Sequence, residues 1–208
     1  MLLLLKTGTL NQSTRMVLSY CFHGNRNSHK NFKEVNKMTT KNLCLASVFT
    51  AIVCLVTRFI QIPIPLGYFN IGNCIILLFC YIMPCPYGLF IGGVGSAIAD
   101  LLSMPVWAFP TLIIKVLMPL AFYGLTKLFD KFSLKYIFAA IISMLIPFVG
   151  YTFVGAIIAG SLYAGFTQIP GLALEYAANV VLFAVLWFAA KKAGLRRIYE
   201  SDRSQQAK

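Results

Sequence analysis

From residue 43 onward the chain alternates long apolar runs with short breaks built of Pro, Gly, Asn and charged residues. The runs cover roughly Leu43–Ile62, Ile71–Met83, Tyr87–Leu102, Phe109–Phe129, Leu134–Leu162 and Gly171–Ala190. A helix needs about 20 apolar residues to cross a bilayer, so most of these runs predict transmembrane helices, with the second and third on the short side. The breaks are explicit: Pro63-Ile-Pro65 leading into the turn-rich Gly67–Asn73, Pro84-Cys-Pro86, Ser103-Met-Pro105, a Lys-rich stretch from Lys127 to Lys135, and Tyr163–Pro170. Pro147 and Gly150 predict a kink in the fifth run. The fold class that follows is an all-α integral membrane protein, a bundle of about six transmembrane helices spanning residues 38–193.

Composition supports this. The chain has 208 residues, 59% of them hydrophobic and only 12% charged. A soluble domain carries about twice that charged fraction. The net charge of +12 invites a nucleic-acid reading, but its distribution excludes one. Basic residues gather in the tail 1–37, around Lys127, Lys131 and Lys135, and from Lys191 to Lys208. Those are the flanks of apolar runs, where positive charge marks the cytoplasmic side and meets anionic lipid headgroups. With an even number of spans, both termini and the Lys-rich loop lie in the cytoplasm. The three segments then left outside, Pro63–Asn70, Ser103–Phe109 and Tyr163–Pro170, carry no charge. Residues 1–37 read as a polar, basic, disordered tail, and Met38 as a candidate native start; residues 194–208 read as a basic cytoplasmic tail.

Four charges break the apolar pattern: Arg58, Asp100, Lys115 and Glu175. Each costs about 3 kcal/mol near the bilayer centre, so such residues face a cavity or a partner. All four fall in the outer half. Asp100 and Lys115 lie at similar distances on either side of the loop holding Trp107. Glu175 and Asn179 share one helix face by their spacing of four. Asn70 and Asn73 enter the second run from outside, and Trp107, Tyr68, Tyr151 and Tyr163 offer flat faces for a ring. Two readings stand: a polar pocket with aromatic walls, or an Asp100–Lys115 ion pair that locks two helices. Convergence on one side favours the pocket.

Other motifs read as packing. Gly88, Gly92 and Ser96, like Gly93 and Ala97, repeat every four residues and let helices approach closely. No Gly-Lys-Ser/Thr follows, so this is not a phosphate loop. The six cysteines behave as small hydrophobes, and no metal site or cofactor is expected. The only histidines, His23 and His29, stand in the tail, which removes Ser–His catalysis and His-ligated metal from the bundle; the chain does not read as an enzyme. A self-sufficient carrier would show broken helices in both halves, whereas the break at Pro147 and Gly150 has no counterpart in the first half.

Four segments resemble the substrate-binding S components of energy-coupling factor (ECF) vitamin transporters: Leu45-Ala-Ser-Val-Phe-Thr-Ala51, Ile62-Pro-Ile-Pro-Leu-Gly-Tyr-Phe-Asn-Ile-Gly-Asn73, Gly92-Gly-Val-Gly-Ser-Ala-Ile-Ala-Asp100 and Pro110-Thr-Leu-Ile-Ile-Lys115. The likeness covers roughly Met38 to Lys192. It implies a six-helix protein of the bacterial plasma membrane that captures a vitamin or precursor from outside. It also implies partners: a transmembrane T subunit and two ATPase subunits that power uptake. By the same resemblance the loop around Tyr68–Asn70 gates a pocket lined by Trp107, Lys115, Glu175 and Asn179, to which the polar pattern adds Asn73 and Asp100, while Ala46, Ser47, Thr50 and Ala51 meet the T subunit. Relatives often carry Asp at the position of Asn73, a departure that bears on the ligand's charge. The polar set favours a pyrimidine or pyridine vitamin, with riboflavin as the alternative.

Overall fold

The computed structural model describes residues 40–64, 67–129, 134–196 and 199. The N-terminal tail with its Met38 start, residues 130–133, and the C-terminal tail apart from 194–196 and 199 lie outside the described residues. The elements run in order as helix α1 (Thr40–Phe59), strands β1 (Gln61–Ile64) and β2 (Gly67–Asn70), and helices α2 (Gly72–Ile82), α3 (Tyr87–Ser103), α4 (Pro105–Leu128), α5 (Lys135–Ser143), α6 (Leu145–Ile158), α7 (Leu162–Thr167) and α8 (Ile169–Lys192).

Each apolar run becomes helical, and the breaks are where the sequence departs most from expectation. The first break is an antiparallel hairpin pairing Gln61 with Asn70 and Pro63 with Tyr68, so the described chain is not purely α. Pro63 lacks an N–H for a ladder, which a two-stranded edge tolerates. The expected outer loop Ser103–Phe109 shrinks to Met104, because Pro105 takes the first position of α4, where its missing N–H costs nothing. Trp107 is therefore helical. The fifth run divides at Met144 into α5 and α6, upstream of both Pro147 and Gly150. Pro147 has no N–H for the Ser143 carbonyl, so the helix opens on its N-terminal side. The last uncharged segment contributes the short α7.

Four stretches are long and apolar enough to cross a membrane: Asn42–Phe59, Pro105–Leu128, Lys135–Ile158 and Ile169–Lys192; α2 and α3 are apolar but shorter. The protein is a multi-pass, mostly helical membrane protein. Large apolar side chains cover its outside, among them Val48, Leu55, Phe90, Phe109, Phe153, Val181 and Phe188, as a lipid-facing surface requires.

The glycine spacing on α3 serves packing, as expected. A Cβ at Gly95 would meet the Thr50 carbonyl oxygen of α1 at 2.9 Å, and one at Gly92 the Lys115 carbonyl oxygen of α4 at 2.9 Å. Helix α3 is thus gripped between α1 and α4 at backbone distance. The interior divides by polarity. Leu77, Phe79, Cys80, Met83, Tyr87, Met118, Phe122, Phe183 and Trp187 form an apolar core toward the basic ends of α4 and α8. The opposite end holds the polar residues.

Candidate functional site

Helix α2 explains how polar groups reach so deep. Its 11 residues rise about 16 Å, roughly half a bilayer core. Its first turn, Gly72-Asn73-Cys74, is fully buried and follows directly from the hairpin. The carboxamide of Asn70 turns back to accept the Gly72 N–H at 2.9 Å, satisfying one of the donors a helix start leaves open.

Asn179 of α8 stitches this corner in place. Its Oδ1 accepts the Cys74 N–H at 3.0 Å, while its Nδ2 donates to the carbonyls of Asn70 and Glu175, each at 2.9 Å. Asn179 and Asn70 therefore spend their amides on holding the site together.

Asn73 links the two charges. Lys115 donates to its Oδ1, and its Nδ2 donates to Glu175 Oε1 at 3.0 Å. The result is a buried relay, ammonium to carboxamide to carboxylate, drawn from α4, α2 and α8. A second relay runs beside it. The Tyr151 and Thr111 hydroxyls lie 3.2 Å apart, and Thr111 hydrogen-bonds Asp100, which also feels the Lys115 charge. Lys115 Nζ sits 5.7 Å from the centre of the Tyr151 ring, within cation–π range. Trp107 packs edge-on against that ring at 5.7 Å. Asp100, Lys115, Glu175, Asn73 and Asn179 are all buried, so an apolar bundle holds five strongly polar side chains in contact with one another's partners.

A pocket opens on this cluster between α6 and α8, lined by Asn73, Met144, Pro147, Phe148, Tyr151, Leu172, Glu175, Tyr176 and Asn179. Its space is about 10 Å³, roughly that of one water. The Met144 break shapes its wall, since Tyr176 donates to the Ile141 carbonyl at 3.1 Å.

Residues 37–191 match the family model of the ECF-type riboflavin transporter S component. The chain belongs to this family. In addition, 65 residues are 45% identical to an uncharacterised protein of Pyrococcus woesei, described as lying in the gap 3′ region; the match covers 30% of this chain and 44% of that protein, less than half its length. Membership places the chain among the S components of ECF-type transporters.

The structure sorts the expected site residues of this S component. It brings Asn70, Asn73, Asp100, Trp107, Lys115, Glu175 and Asn179 together. Tyr68 stands in β2 opposite Pro63, with its side chain outside the described set. Arg58 and Tyr163 are exposed and take no part. Of the four residues expected at the T subunit, Ala46 is buried and Thr50 half-buried toward α3, whereas Ser47 and Ala51 stand exposed on α1. Thr111, Phe148 and Tyr176 were not singled out from the sequence. Thr111 was legible as the middle member of Trp107–Thr111–Lys115, spaced every four residues on one face of α4. Among the described residues no group of three His, Cys, Asp or Glu is placed to hold a metal.

Proposed function

We propose that this S component crosses the membrane six times with both termini in the cytoplasm, and binds riboflavin from outside in the pocket between α6 and α8. One observation carries the reading: Asn73 and Glu175, the members of the buried relay that Lys115 backs, line a pocket walled by Tyr151, Phe148 and Tyr176. Ionisable groups in a membrane interior mark a functional site by default. The relay offers donors and acceptors in alternation, and the aromatic wall offers faces for a planar ring. The ligand in the family's description, riboflavin, supports that vitamin over the pyrimidine and pyridine ones. The narrowness of the pocket favours those single-ring compounds as a second reading, since riboflavin requires α6 and α8 to part.

After capture, a T subunit and two ATPases of the energising module drive delivery to the cytoplasm. The exposed small residues Ser47 and Ala51 of α1 are the proposed contact with the T subunit. No step of this scheme assigns chemistry to the chain itself.

Thermal unfolding of the purified chain in detergent, screened across the B vitamins, tests the reading. Ligand at 1,000 times its Kd adds about 4 kcal/mol of stability, so riboflavin should raise Tm by several degrees. A shift with pyridoxine or thiamin alone would install the second reading. No shift with any vitamin would leave the polar cluster as a helix lock.

A further inference from the structure

Gln168 lies where α7 ends and α8 begins. Its side chain is 1% exposed, and its Nε2 has no hydrogen-bond partner. Buried amide donors are nearly always satisfied, so an orphan calls for a reason. The position supplies one. Gln168, Leu172, Glu175 and Asn179 follow the spacing of one helix face, and the last three line the pocket. On the facing helix, Pro147 and Tyr151 line the pocket and Gly155 continues their spacing by one turn. The Gln168 amide fills the notch that Gly155 leaves: a Cβ there would overlap Nε2 and come within 3.0 Å of Cδ. Glycine at 155 is thus required for Gln168 to lie where it does, one turn beyond the pocket, at the end away from the apolar core.

The backbone around it is tied. Leu172 N–H donates to the Gln168 carbonyl at 2.9 Å, and Gly165 seats α7 on α6 with its Cα side 3.0 Å from the Thr152 carbonyl oxygen where a Cβ would stand. Only the side chain is left to respond to a ligand.

We propose that Gln168 is a ligand-binding residue one turn beyond the pocket on the Leu172–Glu175–Asn179 face, donating its amide N–H to an acceptor oxygen of the bound molecule. The proposal rests on the reading of the α6–α8 space as the ligand pocket and narrows the ligand class. Glu175 is seven positions on from Gln168, about 10 Å along the helix. A molecule that engages both the Glu175 relay and Gln168 has polar groups at two ends that far apart. That describes a fused ring system or a ring carrying a hydroxylated chain, and excludes a single small ring.

Riboflavin titrated into the purified full chain, followed by quenching of flavin fluorescence, tests this with Gln168→Leu. Leucine fills the same space and removes the orphan amide, so unfolding without vitamin should occur at the same temperature or higher. The Kd should rise about tenfold. Gly155→Ala, which displaces the amide while leaving it in the chain, should raise the Kd similarly and add nothing to Gln168→Leu, because both act through one contact. Equal riboflavin affinity in the unaltered chain and Gln168→Leu would overturn the proposal while sparing the pocket reading. Tight binding of pyridoxine, unchanged by Gln168→Leu, would do the same. An unaltered chain that binds no vitamin would overturn both.

Discussion

Asn179 makes three hydrogen bonds from one carboxamide, and each partner is a backbone group of a different segment: the start of α2, the end of β2 and the preceding turn of α8. Replacing it with Leu strands the Cys74 N–H and the Asn70 carbonyl in an apolar interior. Each stranded group costs about 1–3 kcal/mol, so Asn179→Leu should destabilise the protein by about 3 kcal/mol, read from thermal unfolding in detergent. Lys115 poses a different problem. Lys115→Met leaves Glu175 and Asp100 buried without their cation, a loss of about 3 kcal/mol. Adding Glu175→Gln should recover much of it, so a double-mutant cycle should show strong non-additivity. Independent losses that simply add would mean that the two residues do not communicate through Asn73.

At this scale the sequence revealed charge and little else. Asp100, Lys115 and Glu175 stand out because nothing apolar surrounds an ionisable group without reason. Asn179 follows from its spacing of four from Glu175, and Asn70 and Asn73 from their place at the outer start of the second run. Neutral polar residues such as Thr111 and Gln168 gave no such signal, since both are ordinary near the end of a membrane helix. Their roles come from what they face: Tyr151 in one case and Gly155 in the other. Ala46, beside the exposed Ser47, is buried in the core.

The elements were legible where length and hydrophobicity decide them and illegible where backbone chemistry does. Proline placed every break except the Lys-rich one at 127–135 within a few residues, yet its effects differ with context. Pro105 starts α4, Pro110 and Pro119 are carried inside it, and Pro147 opens the helix behind itself. The hairpin after α1 pairs two four-residue strands, too short for an alternation pattern to show. The α3 stripe, in contrast, was readable, and it makes a sharp prediction. Gly95→Leu places side-chain atoms where the Thr50 carbonyl and Val53 already stand. It should push α1 from α3 and cost about 2 kcal/mol by overpacking. Ser47→Trp on the exposed face of α1 should leave stability and vitamin binding unchanged and abolish uptake in cells supplied with the T subunit and ATPases. Uptake at the unaltered rate would remove that face from the docking surface.

The whole molecule separates two tasks along its length. An apolar core around Phe122, Phe183 and Trp187 fixes one end of the bundle, and the other end is given to polar groups that a purely structural bundle would do better without. The two-relay cluster needs five helices to assemble, which is why no local motif announced it. If the pocket between α6 and α8 is the ligand site, binding should need neither ATP nor the partner subunits. The most direct test is an equilibrium titration of riboflavin into the purified chain alone, with stoichiometry counted. The account predicts saturation at one vitamin per chain with a nanomolar Kd, weakened at least 100-fold by Lys115→Met. Absence of saturable binding at micromolar vitamin, or binding indifferent to Lys115→Met, would contradict it.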